Sequence, residues 1–222
     1  MSLLIKNIKK LIQCRTEKTP FVSGKDMSFV PSIDDAYLFV KDGKIKDFGK
    51  MQDLKEINTD QVIDAKDRMV LPSWCDSHTH IIFAGDRSKE FIDRIKGLSY
   101  EEIAARGGGI LNSAKLLQNT SKEDLYNQSK MRINSVIRQG TGAIEIKSGY
   151  GLSFESELKM LQVIKQIKDS SKMQVKSTFL GAHAYPNEFK GNKDGYINLV
   201  LNKMLPAFKR ENLIDYIDVF CE

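Results

Sequence analysis

The chain is poor in cysteine and in long apolar runs, and each scarcity excludes a class of protein. Its three cysteines in 222 residues are too few, and odd in number, for a disulfide-stabilised secreted domain. They predict a reducing, cytoplasmic setting. No apolar run reaches the length of a membrane span, so no membrane association is expected. The segment Met1–Asn7 lacks the long apolar core and the cleavage site of a signal sequence.

Charge of one sign is not concentrated anywhere in the chain. The 34 Lys and Arg residues exceed the 29 Asp and Glu residues only slightly, for a net charge of +5. The basic residues are scattered among acidic ones, with no basic block beside aromatic clusters. Nucleic acid is therefore not an expected partner. Hydrophobic residues make up 41% of the chain, which is enough for a large core.

The hydrophobic pattern changes near residue 66. Residues 1–65 consist of short strands and turns, and Asp42-Gly43 between two apolar stretches predicts a tight β-hairpin. From residue 66 onward, strand and helix patterns alternate, which is typical of an α/β barrel. The strands of this part are predicted near 69–77, 142–147, 174–181 and 216–221, and the first of them is expected to be buried. We therefore predict two domains: a small β module over 1–65 and a barrel with about four strands over 66–222.

Several helix starts are marked by serine. Ser99 and Glu102 form a capping box, in which each side chain bonds the backbone of the other residue. Ser153 is expected to cap a later helix, with Glu155 and Glu157 in its first turn, where negative charge suits the helix dipole. A run of three glycines, Gly107 to Gly109, is expected to end the helix that begins after Ser99.

The most informative motif is His78-Thr79-His80, which contains two of the three histidines. Residues i and i+2 of a strand point the same way, so two imidazoles at the end of the first barrel strand can bind one metal ion. A His-x-His pattern also arises by chance. Neutral imidazoles suit both zinc and iron. Three or four protein ligands are usual in a catalytic zinc site, so this pair is incomplete.

Other candidate residues follow the predicted strands, and each has a structural alternative. His183 could polarise a substrate or transfer a proton, or could be a hydrogen-bonded loop histidine. Arg87 could hold a carboxylate through two hydrogen bonds, or be solvated. Asp76 could orient a metal-binding histidine, or cap the loop. Lys147 could bind a metal or carry a carbamate, but an ordinary strand-end lysine is the simpler interpretation.

Four longer segments carry a family resemblance: Tyr100–Leu111, Glu145–Leu152, Thr178–Ala184 and Asp218–Glu222. They resemble the imidazolonepropionase family of the metal-dependent amidohydrolase superfamily. The resemblance implies a distorted (β/α)8 barrel with a small β-sandwich, one zinc or iron ion and a homodimer. It also implies hydrolysis of a small molecule, 4-imidazolone-5-propanoate, to N-formimidoyl-L-glutamate in histidine degradation. On this reading residues 1–65 belong to the β-sandwich.

The resemblance also implies roles for individual residues. His78 and His80 match two metal ligands, and Arg87 matches a residue that contacts the propionate end of the substrate. Tyr150 and His183 match substrate-contacting positions, with His183 near the carbonyl under attack and therefore catalytic.

The family's remaining metal ligands and its catalytic glutamate would lie beyond Glu222. The chain stops on a predicted strand, whereas a complete barrel takes about 250 residues. We therefore expect an N-terminal portion of a longer enzyme that is inactive by itself. Two alternatives stay open: an amidohydrolase for another cyclic amide or amino-heterocycle, and a non-catalytic metal- or ligand-binding fragment.

Overall fold

The structure is a computed structural model that describes residues 1–17, 19–106 and 108–221. Three residues fall outside these ranges: Lys18, Gly107 and Glu222. Gly107 is the first glycine of the predicted helix-ending run, and Glu222 is the last residue of the Asp218–Glu222 segment, so these parts of the predictions lie outside the described residues. The contacts divide the chain into two units, Met1–Pro72 and Ser73–Glu222. The predicted domain assignment, 1–65 and 66–222, stays a prediction.

The first unit is a five-stranded sheet. Its strands are β1 (Ser2–Ile12), β2 (Ser32–Lys41), β3 (Lys44–Lys50), β4 (Gln61–Asp64) and β5 (Met69–Val70). β1 pairs with β2 in the antiparallel sense and with β4 and β5 in the parallel sense. Two 3-10 turns, Gly24–Ser28 and Met51–Asp53, connect strands. A small core around Ile8, which is completely buried, packs on the sheet.

The predicted hairpin joins β2 to β3. Lys41 pairs with Lys44 across the two-residue turn Asp42-Gly43. Both turn residues have positive φ, 53° and 72°, as the tight hairpin turn that matches the strand twist requires. Glycine reaches such angles without steric cost, and aspartate tolerates them better than most residues. The hairpin prediction is confirmed.

The second unit contains four parallel strands in chain order, each pair separated by helices. The strands are β6 (Trp74–Thr79), β7 (Thr141–Lys147), β8 (Gln174–Ala182) and β9 (Tyr216–Val219). The helices are α1 (Ser88–Ile95), α2 (Tyr100–Ala105), α3 (Gly109–Asn119), α4 (Lys122–Arg138), α5 (Phe154–Ser170), α6 (Lys193–Leu199) and α7 (Leu205–Arg210). A 3-10 turn, Asn187–Phe189, precedes α6, and a π-helical turn, Val200–Met204, joins α6 to α7. No helix within the described ranges is long and apolar enough to cross a membrane.

The prediction of one buried strand near 69–77 was wrong in two respects. Its first residues form β5, which pairs with β1 in the first unit, and its later residues form β6 in the second unit. β6 is also exposed: the side chain of Trp74 is 61% accessible. Within the described ranges β6 pairs on one side only, with β7, so its residues lack the cover of a second neighbouring strand.

Serine caps begin α2 and α5, as predicted. The Ser99 N–H donates to Oε2 of Glu102 at 2.7 Å, and the Glu102 N–H donates to the Ser99 hydroxyl at 3.2 Å. Ser153 caps α5 by accepting the Ser156 N–H at 3.3 Å. Each bond satisfies a backbone donor that the first helical turn leaves without an intrahelical partner.

Candidate active site

Four aromatic rings meet beyond the carboxyl ends of β6, β7 and β8. The ring centroid of His80 lies 5.1 Å from that of Tyr150 and 5.2 Å from that of His183. The ring of His78 lies 5.6 Å from that of His80. The structure thus brings together four residues that the sequence selected from three separate segments. This is the end of the sheet where α/β barrels carry their active sites.

His80 is the centre of this cluster. Its Nδ1 atom is buried and has no hydrogen-bond partner among the described residues. Burial lowers the pKa of His80 to about 4, and the neighbouring His183 and His78 rings add to the effect. A neutral imidazole keeps a lone pair on one ring nitrogen, as metal binding requires.

The histidine pair fits part of a metal site. Two adjacent imidazoles, one with an unpartnered buried nitrogen, are suitable donors for zinc or iron. They do not complete a site, because no group of three or more His, Cys, Asp or Glu side chains in the described ranges is placed to hold a metal ion. Asp76 accepts the backbone N–H of His78 at 3.3 Å. This bond favours the loop-cap alternative for Asp76.

Two side chains, those of Thr79 and Arg132, hold the chain around the histidine pair. The Thr79 hydroxyl donates to the backbone oxygen of Glu145 at 2.6 Å, which ties β6 to β7. Arg132, on α4, donates to the backbone oxygens of Ile81 and Phe83, both at 2.8 Å. Its guanidinium also lies 3.6 Å from the centroid of the Phe83 ring. The sequence did not indicate Arg132, because an arginine on a charged helix resembles any solvated one.

His183 has a defined hydrogen bond. Its Nδ1 lies 2.9 Å from the backbone oxygen of Gly149. A carbonyl oxygen only accepts, so Nδ1 carries the hydrogen and Nε2 carries the lone pair of the neutral ring. Gly149 has φ of 103°, and a Cβ there would lie 3.0 Å from Nδ1 of His183 and 2.7 Å from the Leu180 backbone oxygen. Glycine is therefore required at this close approach.

Arg87 lies at the start of α1, where it pairs with Glu90. The Arg87 Nε donates to Oε2 of Glu90 at 2.7 Å, and a second guanidinium nitrogen contacts the same oxygen. Oε1 of Glu90 accepts the N–H of Gly109 at 3.0 Å, so the pair is fixed to the start of α3. Burial raises the pKa of Tyr150, and the positive charge of Arg87 partly offsets this effect. Arg87 thus acts electrostatically on the ring cluster. Nothing in the sequence indicated that Glu90 would link Arg87 to the start of α3.

Lys147 lies between two carboxylates. Its Nζ donates to Oε1 of Glu145 at 2.9 Å and to Oδ2 of Asp218 at 2.8 Å. Burial alone would lower the pKa of Lys147, but the hydrogen bonds to Asp218 and Glu145 raise it above the usual value. The side chain therefore stays an ammonium, which has no lone pair for a metal or a carbamate. It joins β7 to β9.

Sequence comparison finds this chain similar to imidazolonepropionases from several bacteria. No family model matches it. The imidazolonepropionases of Flavobacterium psychrophilum and Flavobacterium johnsoniae are 59% and 56% identical to it over all 222 residues. That of Clostridium tetani is 40% identical over 224 aligned positions. The alignments cover 100% of this chain but only 54%, 54% and 53% of these proteins. The chain spans about half the length of the curated relatives it matches.

Two solved structures share the fold at low sequence identity. E. coli guanine deaminase is 15% identical, with a TM-score of 0.60 over 97% of this chain and 45% of that chain. Guanine deaminase from C. acetobutylicum, with bound guanine, is 16% identical, with a TM-score of 0.51 over 99% of this chain and 46% of that one. These similarities confirm the predicted fold class, an α/β chain with half of an amidohydrolase-type barrel. The sequence identities confirm the resemblance: over its whole length, the chain is a homologue of the imidazolonepropionases.

Proposed function

We propose that the chain supplies one half of a metal-dependent hydrolase that opens 4-imidazolone-5-propanoate to N-formimidoyl-L-glutamate. The observation that carries this proposal is the convergence of His78, His80, Tyr150 and His183 at one end of the sheet. The four residues divide among three proposed roles: His78 and His80 bind a metal, His183 acts on the ring carbonyl, and Tyr150 orients the substrate. The sequence identity to imidazolonepropionases supports the choice of substrate.

His78 and His80 would hold the metal, together with ligands from outside this chain. When bound, zinc or iron would lower the pKa of a coordinated water from about 15.7 to near 7, which supplies a hydroxide at neutral pH. The cyclic amide of the substrate resists water without such help. Among the residues of this chain, the two imidazoles would therefore be required for the attack but not sufficient for it.

His183 and Arg87 would act on the two ends of the substrate. With Nδ1–H bonded to Gly149, His183 can accept a proton at Nε2 when neutral or donate one from Nε2 when charged. In the charged form it would stabilise the oxygen of the carbonyl under attack. Arg87 would bind the propionate and hold the ring in place, and Tyr150 would contact the ring.

Composition and family resemblance support proposals about the location and assembly of the enzyme. The scarcity of cysteine supports a cytoplasmic location. The family resemblance supports a homodimer, a β-sandwich that includes residues 1–65, and a barrel that begins at residue 66.

The decisive experiment measures metal content and hydrolysis of 4-imidazolone-5-propanoate. It uses this chain and the full-length protein, meaning this chain together with the remainder that its relatives possess. We expect only the full-length protein to bind one metal per chain and to turn over. A folded full-length protein that does neither would contradict the proposal.

Arg87→Ala in the full-length protein separates the proposed substrate from other cyclic amides. We expect KM to rise about 10- to 100-fold, as losing one charged hydrogen-bond partner would produce. Arg138→Ala is the matched control, because Arg138 is exposed at the end of α4, next to the start of β7. An unchanged KM for the Arg87 variant would favour a substrate without a carboxylate.

A further inference from the structure

One buried carboxylate holds the loop that follows β7, which we call the β7–α5 loop (residues 148–152). Glu157, in the first turn of α5, is completely buried. Its Oε1 accepts the N–H of Gly151 at 2.7 Å and that of Leu152 at 3.1 Å. Its Oε2 accepts the N–H of Gly149 at 3.0 Å. Three of the loop's backbone donors therefore point at one side chain.

In every hydrogen bond described for Glu157, its carboxylate is the acceptor. The Ser148 hydroxyl joins the three backbone groups, and its oxygen also accepts the Leu180 N–H at 3.2 Å. An ionised carboxylate is an acceptor only, so this set of partners matches the charged form. Burial raises the pKa of Glu157, and the hydrogen bonds oppose the rise. The N–H groups of the loop supply the hydrogen bonds that water would otherwise donate to the charged carboxylate.

The β7–α5 loop has a strained backbone, which needs stabilising contacts from outside the loop. Leu152 has φ of 55° and lies in the left-handed region, which is unfavourable for a residue with a side chain. Gly151 packs so closely that a Cβ there would lie 2.8 Å from Oε1 of Glu157. Gly151 and Leu152 both donate to Glu157, and these two bonds stabilise the strained backbone.

The loop carries one member of the ring cluster and orients another. Tyr150 lies between Gly149 and Gly151, both of which are bonded to Glu157. The backbone oxygen of Gly149 accepts the Nδ1–H of His183. The ring centroids of Tyr150 and His183 lie 5.3 Å apart. One carboxylate thus fixes the backbone on both sides of Tyr150 and the acceptor that orients His183.

We propose that Glu157 is a positioning residue that sets the relative placement of Tyr150 and His183 through the β7–α5 loop. The placement matters for catalysis only if these two residues contact the substrate, so this inference rests on the proposed function. Glu157 touches no reacting atom and acts through Gly149, Gly151 and Leu152.

The test compares Glu157→Gln with Glu155→Gln in the full-length protein. Glu155 is exposed in the same first turn of α5, so both variants remove one charge from the same helix end. In the Glu157 variant an amide NH2 replaces one acceptor and faces donors. We expect hydrogen exchange at the amides of Gly149, Gly151 and Leu152 to become about 10-fold faster or more, because a hydrogen bond to a charged group is lost.

Catalysis is the second readout. We expect kcat of the Glu157→Gln variant to fall roughly 10²-fold, the loss typical of a small misplacement of reacting groups. KM should change less, because the guanidinium of Arg87 is held by Glu90 on α1, which the substitution leaves in place. Glu155→Gln should match the wild type in both readouts. If Glu157→Gln does not fold, Ser148→Ala removes a single donor and should produce a smaller change of the same kind.

The outcomes are distinguishable. Exchange that stays unchanged in the three loop amides, or that accelerates equally throughout α5 and the sheet, would overturn the positioning role. Faster loop exchange with an unchanged kcat would overturn it as well. If the wild-type protein does not hydrolyse the imidazolone, the proposed function fails, whereas the exchange measurement still tests whether Glu157 fixes the loop.

Discussion

The inner and outer strands of the parallel sheet differ sharply in burial. Ile146 on β7 and Phe179 on β8 are 0% and 1% accessible, whereas Ile217 on β9 is 54% accessible. The ring cluster draws on both kinds of strand. Tyr150 and His183 follow the inner strands, and the histidine pair lies at the carboxyl end of the outer strand β6. Tyr150 and His183 thus follow strands that are well packed on both sides. The proposed metal ligands, in contrast, lie at the edge of the described sheet and depend on a few hydrogen bonds.

The largest expected effect tests whether the outer strand carries the metal. His80→Ala in the full-length protein should abolish stoichiometric metal binding. Activity should fall by more than the roughly 10- to 100-fold that loss of an outer-shell partner costs. Cys75→Ser is the control, since Cys75 is exposed on β6, the strand that leads to His80. Metal measured by mass spectrometry at one ion per chain in the His80 variant would show that the ligands lie elsewhere.

The next prediction tests the difference in burial between inner and outer strands directly. In the 222-residue chain, Ile146→Ala should lower the free energy of unfolding by about 2–5 kcal/mol, as cavity formation in a core does. Ile217→Ala should cost less than about 0.5 kcal/mol, the range of surface substitutions. Urea unfolding of both variants measures the difference.

The same pair of variants in the full-length protein tests the proposed barrel. There the cost of Ile217→Ala should approach that of Ile146→Ala, because β9 gains a second neighbouring strand. If Ile217→Ala costs as little unfolding free energy in the full-length protein as in the short chain, the result would contradict the barrel. Equal costs in the short chain would contradict the division into inner and outer strands.

Local features of the fold could be predicted from sequence because short-range chemistry determines them. Asp42-Gly43 specified the hairpin, and Ser99 with Glu102 specified a helix start, since the partners lie within three residues of each other. The strand near 69–77 could not be assigned correctly. An apolar run does not reveal which sheet its residues join, or whether a strand has one neighbour or two.

The candidate site divides in the same way. His78 and His80 were found by their spacing, and the substrate came from the family resemblance rather than from any pattern. Arg132 and Glu157 were missed, because their importance depends on partners that only folding brings close. Arg132 bonds residues 49 and 51 positions away in sequence. Glu157 is indistinguishable in sequence from Glu155, two residues earlier.

Arg132 allows the support of the outer strand to be measured. Arg132→Met removes two hydrogen bonds to partly buried carbonyl oxygens next to the histidine pair. We expect a loss of about 1–3 kcal/mol in unfolding free energy, the cost of leaving such groups unpaired. Metal affinity should fall while metal stoichiometry is retained. Arg138→Met on the same helix is the control, and an equal change in both variants would argue against a specific role.

The smallest expected effect concerns how the outer strand β9 is held at its start. Oδ2 of Asp215 accepts the N–H of Ser177 and the ammonium of Lys168, both at 2.9 Å, which links the beginning of β9 to β8 and α5. Burial raises the pKa of Asp215, but these bonds outweigh it and hold the pKa below the ordinary 3.8. We expect Asp215→Asn to cost about 1 kcal/mol at neutral pH, because part of the charge interaction is screened by solvent.

The pH dependence of that cost identifies its origin. Because folding lowers the pKa of Asp215, its ionised form stabilises the folded chain fully above the ordinary value, and this stability is lost as pH falls through the folded-state pKa. The gap between wild type and Asp215→Asn should therefore be constant from about pH 5 to 7 and close below about pH 4. Asp169→Asn, which removes an exposed pair with Lys165, should show little gap at any pH. A gap for Asp215 that persists in acid would mean that packing, and not its charge, holds β9 to the inner strands.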